Sequence, residues 1–409
     1  MSESMQALLQ SLMHPGLKAI DLSLGRVEAH LAAIAHPERK LPSVVHVAGT
    51  NGKGSTIAFI RAALEGAGYR CHVYTSPHLV SITERFVLAG VPVSEEILYQ
   101  QLQQVRIRNQ VFPLTYFEAL TVAAFELFAA TPADICLLEV GMGGRFDATN
   151  VVTPLLSVIT PVGLDHQAYL GTTLGAIAYE KAGIIKHYVP CVLAHQDDGA
   201  EDVIRQVADE RASAVLPRAT LPDVPLGLAG AHQRDNATTA LTALHYLQTQ
   251  GFAKLEQPEQ HFIAARWPAR LQKLEQGALV EIAHAQECEI WLDSGHNGPA
   301  AVELARWITA EETPVHLVFS MSEGHAVQEF LAPLAPVIAS CHVMEIPDEP
   351  LSQSLNALRD SAQSLRSDVT AYAHLDEAVR GAVACAKAGE RVLITGSLYL
   401  AGRVLEKNS

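Results

Sequence analysis

The stretch from Val44 to Ile60, VVHVAGTNGKGSTIAFI, constrains this chain more than any other segment. A β-branched run enters a glycine-rich turn, Gly49 to Gly54, and an amphipathic pattern follows from Ser55 to Ala67. That is a strand, a tight loop and a helix, the unit from which parallel sheets covered by helices are built. Glycines let backbone N–H groups close around phosphate oxygens, the helix N-terminus adds its positive dipole, and Lys53 supplies a point charge. Ser55 then stands where a hydroxyl can reach Mg²⁺. A glycine-rich turn without a ligand is the bland alternative, and the joint presence of Lys53 and Ser55 weighs against it.

The rest of the chain repeats the alternation. Strands are expected at Ser43 to Ala48, Cys71 to Thr75, Asp134 to Val140, Leu155 to Pro161 and Pro190 to Ala194, with helices such as Tyr116 to Ala130 between them. A helix from about Asn236 to Leu247 closes this first series. The segment from Gly251 to about Gln286 is less regular, and Pro258 and Pro268 suit a connection. A second alternation follows, with strands at Glu289 to Asp293, Val315 to Phe319, Cys341 to Ile346 and Arg391 to Thr395. The expected fold is therefore α/β, with a P-loop-containing, mostly parallel sheet domain over residues 1–286 and a smaller Rossmann-like domain over 287–409. A chain of 409 residues is long enough for two cores.

With a formal net charge of -15, a broad nucleic-acid or acidic-membrane surface is not expected, so any phosphate must be met locally. The six cysteines are scattered, without a C-x-x-C pair, and read as reduced thiols of a cytoplasmic protein. The N-terminus lacks the basic start of a signal peptide, and no run approaches the roughly 18 apolar residues of a membrane span.

The loop departs from strict Walker spacing, because Val47 stands where the first glycine belongs and Gly54 separates Lys53 from Ser55. In this form GTNGKGS resembles the loop of the folylpolyglutamate synthase and dihydrofolate synthase family, a branch of the Mur-type ligases. Further matches in order and spacing are TSPHL at Thr75, TYFEALT at Thr115, LLEVGMGGRFDATN at Leu137 and GLDHQAYLGTTLGAIAYEKAGIIK at Gly163. The resemblance implies an ATP-dependent ligase that joins L-glutamate to a pterin-bearing carboxylate, either dihydropteroate or a reduced folate. It also implies a monomer.

Site roles follow from the same resemblance. The phosphates of ATP fall to Gly49, Thr50, Asn51, Gly52, Lys53, Gly54 and Ser55. One Mg²⁺ is assigned to Ser55, Ser76 and Glu139, and a second to His166 and Lys181, with Glu139 bridging. Glu139 ends a buried strand, where an unpaired carboxylate is expensive, so a metal or an ion pair must meet it. Imidazole is a soft ligand for magnesium, and His166 taken alone reads as an ordinary histidine. An ammonium would repel a divalent cation; the resemblance makes Lys181 a carbamate formed with CO₂, whose oxygens can bind one. Asn236 in AHQRDNATTALTAL is assigned to adenine. Arg270 in RWPARLQ and Asp293 in LDSGHN are assigned to the nucleotide, with His296 and Asn297 carried along.

The pterin side draws Asp21, Thr115, Tyr116, Phe117, Glu118, Phe146, Asp147 and Ala148, where an aromatic can stack and a carboxylate can accept from ring N–H groups. Phe117 reads equally as core packing. Two departures stand out: Pro-Ala-Arg at Ala269 for the usual Pro-Gly-Arg, and Gly324, His325 and Ala326 where the family carries Asp-Lys-Asp. A Mur-type peptidoglycan ligase, a P-loop kinase or GTPase, and a nucleotide-binding module without activity are the rival readings. The position of Gly54 and the TYFE segment argue against the first. The DH and EKAG segments argue against the second, and joint retention of Lys53, Glu139, His166 and Lys181 against the third.

Overall fold

A computed structural model describes residues 3–12, 23–346 and 348–408; Asp21 lies outside them. Contacts divide the chain into two units, Met1–Gly227 with Arg234–Ala265, and Leu228–Gln233 with Arg266–Ser409.

In the first unit, seven strands form one sheet: β1 (Ser43–Ala48), β2 (Cys71–Tyr74), β3 (Phe86–Leu88), β4 (Val91–Pro92), β5 (Ile135–Glu139), β6 (Leu156–Ile159) and β7 (Cys191–Leu193). Their order is β4-β3-β2-β5-β1-β6-β7. Only β3 runs against the rest, pairing antiparallel with β2 on one side and with β4 in an edge hairpin on the other. Central β1 is flanked in parallel by β5 and β6, with Val47 opposite both Glu139 and Val158. Parallel strands buried on both faces should be continuously apolar, and β5 and β6 are buried at every residue. One face clusters Tyr74 and Phe86 with Leu120, Phe125 and Phe128 of the helix Tyr116–Ala130; the other packs Ile159, Ile177, Ile184 and Ile204.

The second unit holds β8 (Gln272–Leu274), β9 (Glu289–Leu292), β10 (Val315–Phe319), β11 (Ser340–Met344), β12 (Val369–Tyr372) and β13 (Arg391–Thr395), in the order β12-β11-β10-β13-β9-β8. All pairs are parallel except β8 with β9. Its core centres on Leu317, Phe319, Phe330, Val343 and Leu393. The boundary falls ahead of the 286/287 division read from the sequence, because β8 is hydrogen-bonded into this second sheet.

Candidate functional site

The phosphate loop leaves the carboxyl end of β1, where open α/β sheets gather their ligands. Gly52 caps the helix Lys53–Gly66 in the left-handed region at φ 85°, which favours glycine. A side chain there would also strike the amide of Asn236, so the structure brings the phosphate loop and the expected adenine contact together. Gly49 is packed against Thr160 at the end of β6. The loop is pinned from the same side: the Thr50 and Asn51 amides donate to the Pro161 carbonyl at 2.9 and 3.2 Å. The Thr50 hydroxyl donates to the Gly163 carbonyl at 3.0 Å.

Two lysines converge on one atom. Lys53 Nζ donates to the Gly49 carbonyl at 3.0 Å and to the Thr50 carbonyl at 3.1 Å. Lys181 Nζ, on the helix Leu174–Ala182, also donates to the Gly49 carbonyl at 3.0 Å. Lys181 is 4% exposed. Burial first, and the Lys53 charge second, lower its amine to about 7.

Glu139 and Ser76 meet as well. Glu139, the last residue of β5 and buried, accepts the Ser76 amide through Oε2 at 3.1 Å. Ser76 precedes Pro77 across a cis bond at the end of β2. Ser55 is buried in the first turn of its helix. His166, whose amide donates to Asp165 Oδ1 at 2.8 Å, stands at φ 48° before a short helical turn. Among the described residues, no three His, Cys, Asp or Glu gather as a metal cage.

The loop after Glu139 is clamped to the helix that carries Lys181. The Arg145 amide donates to the Glu180 carbonyl at 2.8 Å, and Asn150 Nδ2 donates to the carbonyls of Arg145 and Gly183 at 2.9 and 3.1 Å. Arg145 stacks on Tyr179 at 3.9 Å. Gly144 has Lys181 backbone where a Cβ would stand. Sequence reasoning passed over Arg145, although it lies inside a segment already singled out.

Several residues expected at the pterin also have structural work. Thr115 and Glu118 form a capping box at the start of the helix Tyr116–Ala130, and Glu118 accepts the Thr115 amide at 2.7 Å. Glu118 is also paired with Arg26 at 2.8 Å, a cation the sequence reading missed because nothing in GRVEAH marks it. Phe117 lies against Gly141 and packs on the edge of the core, as its reading as a packing residue expects. Phe146 is 41% exposed, whereas Asp147 and Ala148 are buried. Both Asp147 oxygens already accept hydrogen bonds from their own loop.

In the second unit, Asp293 accepts the Leu271 and Gly295 amides at 2.9 and 2.7 Å, while Arg270 donates to the Ala269 carbonyl at 3.1 Å and to Ser294 Oγ. His296 pairs with the Ser294 carbonyl at 2.9 Å, and Asn297 caps the helix Gly298–Ala310. Arg270 and His296 thus both bond Ser294, the residue after Asp293. Ala269 sits at φ 54°, where the usual glycine would be at ease. His325 lies edge-on to His296, with ring centroids 4.9 Å apart.

A strand-entered phosphate loop with a buried lysine at its base, followed by a second α/β unit, is the build of the Mur-type ligases, and the Mur ligase middle domain model matches residues 47–217. A model described as dihydrofolate synthetase, C-terminal domain, matches residues 276–407. The chain is 33% identical to the Bacillus subtilis dihydrofolate synthase/folylpolyglutamate synthase over 95% of its own length and 96% of that protein. It is similar to a Yersinia pestis bifunctional folylpolyglutamate synthase/dihydrofolate synthase complexed with AMPPNP and Mn ion, with TM-score 0.86 and 28% identity over 99% of each chain. It is also similar to Escherichia coli FolC in complex with DHPP and ADP, with TM-score 0.84 and 28% identity over 99% of this chain and 98% of that one. The chain belongs to the dihydrofolate synthase/folylpolyglutamate synthase family.

Proposed function

We propose that this chain is an ATP-dependent ligase that joins L-glutamate to a pterin-bearing carboxylate, making dihydrofolate from dihydropteroate, lengthening folylpolyglutamates, or both. The observation that carries the reading is the convergence of Lys53 and buried Lys181 on the Gly49 carbonyl, at the mouth of a phosphate loop. A carboxylate becomes reactive toward an amine only with a better leaving group than hydroxide. Transfer of the ATP γ-phosphoryl group to the substrate carboxylate supplies one as an acyl phosphate and releases ADP. The glutamate amine attacks the acyl carbon, and phosphate departs.

Pro161 occupies the Thr50 and Asn51 amides. The phosphates therefore fall to the amides of Lys53, Gly54 and Ser55, which a helix start leaves without intrahelical partners. Lys53 turns from the loop carbonyls to the transferring phosphoryl group, where its charge favours the transition state. Phe117 and Phe146 offer aromatic faces to a pterin.

The donor set fits divalent metal. Ser55, Ser76 and Glu139 would hold one Mg²⁺, and Glu139, His166 and carbamylated Lys181 a second; Mg²⁺ takes few protein oxygens and completes its shell with phosphates and water. When bound, the ions supply charge neutralisation on the phosphates. A lysine lowered to about 7 supports the carbamate, because CO₂ adds to the neutral amine. In the second unit, Arg270, Asp293, His296 and Asn297 offer nucleotide contacts. Six unpaired cysteines fit work in the reducing cytoplasm, and no helix among the described residues is long and apolar enough to cross a membrane.

The test is ADP release by purified protein given ATP, Mg²⁺ and L-glutamate with dihydropteroate, tetrahydrofolate or a nucleotide-linked muropeptide in turn. Turnover with either pterin substrate, abolished by Lys53→Ala, is the expected result. Preference for the muropeptide would move the chain to the peptidoglycan branch, and absence of turnover with all three would leave a nucleotide-binding module.

A further inference from the structure

Beneath the loop that follows Glu139 runs a line of hydrogen bonds starting at His46, fully buried on β1. His46 Nε2 lies 2.8 Å from Thr149 Oγ1. Thr149 Oγ1 lies 2.5 Å from Asp147 Oδ1, which also accepts the Thr149 amide at 3.0 Å. Asp147 Oδ2 accepts the amides of Gly141 and Met142, each at 3.0 Å. Gly141 in turn carries the Phe117 ring against its Cα.

The directions of these bonds can be worked out. Two oxygens 2.5 Å apart require a proton between them. Burial raises the Asp147 carboxyl on balance, but three backbone N–H groups already donate to its two oxygens, which leaves them placed as acceptors, and the Thr149 hydroxyl faces Oδ1 as the donor. The threonine therefore provides the proton. Its single hydrogen thus engaged, Thr149 Oγ1 can only accept from His46, and His46 must carry its hydrogen on Nε2. Nδ1 is left as a bare acceptor, and it has no hydrogen-bond partner. A buried acceptor left unpaired is more readily tolerated than a buried donor. Burial, with the Lys186 charge second, lowers the imidazole to about 3, so it stays neutral.

We propose that His46 is a positioning residue: as its Nε2–H tautomer it orients Thr149, which fixes Asp147, which holds the Gly141–Asp147 loop in the shape that seats Phe117 and the pterin-bearing substrate. Asp147 then acts through the loop as well as through any contact of its own. The substrate part rests on the proposed function; the tautomer and the loop anchoring do not.

His46→Leu removes the donor, whereas His46→Gln keeps an N–H near the Nε2 position. In the folded Leu variant, loss of one hydrogen bond to a charged relay should raise the dihydropteroate KM about tenfold and leave the ATP KM within about twofold. Amide exchange at Gly141 and Met142, read by mass spectrometry, should quicken in parallel. Gln should restore both readings, and Thr149→Val should reproduce the Leu pattern, which also covers a Leu variant that fails to fold. ¹⁵N spectra of the wild type should show a protonated Nε2 and a bare Nδ1 unchanged from pH 5 to 8. The opposite tautomer, unchanged exchange in the folded Leu and Val variants, or Gln as damaging as Leu overturns the proposal. The tautomer and exchange readings need no substrate, so failure of turnover with both dihydropteroate and tetrahydrofolate, with these intact, refutes the proposed function and not the anchoring.

Discussion

Gly144→Ala separates the geometry of the site from the stability of the fold. A Cβ on Gly144 would stand 2.8 Å from the Lys181 carbonyl oxygen, 2.9 Å from that of Glu180 and 3.1 Å from Lys181 Cα, where ordinary contact begins at 3.4 Å. All three obstacles are backbone and cannot rotate away. The helix Leu174–Ala182 must therefore retreat by about 0.6 Å, at a cost of roughly 1–3 kcal/mol typical of overpacking. Lys181 travels with it, and its 3.0 Å contact with the Gly49 carbonyl is disturbed. Misplacement of about 1 Å can cost a hundredfold in rate, so a shift of this size should lower kcat/KM about tenfold. Gly175→Ala on the same helix is the control: its Cβ would meet only Val203 Cγ2 at 3.6 Å, and replacing glycine inside a helix gains about 0.5–1 kcal/mol. ADP-release kinetics and urea unfolding on both variants read the two effects. A Gly144→Ala enzyme with kcat/KM within about twofold of the wild type would refute the idea that this contact sets the lysine.

Other expectations follow from the same geometry. With Mg²⁺ and nucleotide present, a carbamate signal from ¹³CO₂ should grow between pH 6 and 8, because an amine lowered to about 7 is mostly neutral only above that value; its absence at pH 8, or its persistence in Lys181→Ala, counts against carbamylation. Gly52→Ala combines a left-handed backbone at φ 85° with a collision at Asn236, and should raise the ATP KM by at least about tenfold while dihydropteroate KM stays nearly constant. In the second unit, Phe330 is fully buried, and Phe330→Ala should cost about 3–5 kcal/mol in chemical denaturation.

Central strands were legible in the sequence because burial on both faces writes itself as unbroken apolar runs, and β1, β10 and β13 match their expected limits. The hairpin of β3 and β4 was missed: its turn is Ala89-Gly90, with both residues at positive φ, and alanine hides a turn that asparagine would announce. Edge strand β12, with no fully buried residue, has no apolar run to read. The phosphate loop was legible because its glycines and lysine are adjacent in sequence. Convergence of Lys181 on Gly49 was not, since 132 residues separate them and only the sheet order brings them together. Thr115 and Glu118 were assigned to substrate from resemblance, while the S/T-x-x-E spacing of a helix cap stood in the same four letters.

The chain passes between its two units after Gly227, after Gln233 and again after Ala265. The six residues Leu228–Gln233 belong to the second unit, and the last two of them open the helix His232–Thr249, whose remainder belongs to the first. No single cut therefore releases either unit whole. A fragment beginning at Arg266 lacks a piece of its own body, and one ending at Ala265 carries a strip of its neighbour's. Split-protein designs, domain grafts between relatives and crystallisation fragments would have to move 228–233 together with 266–409.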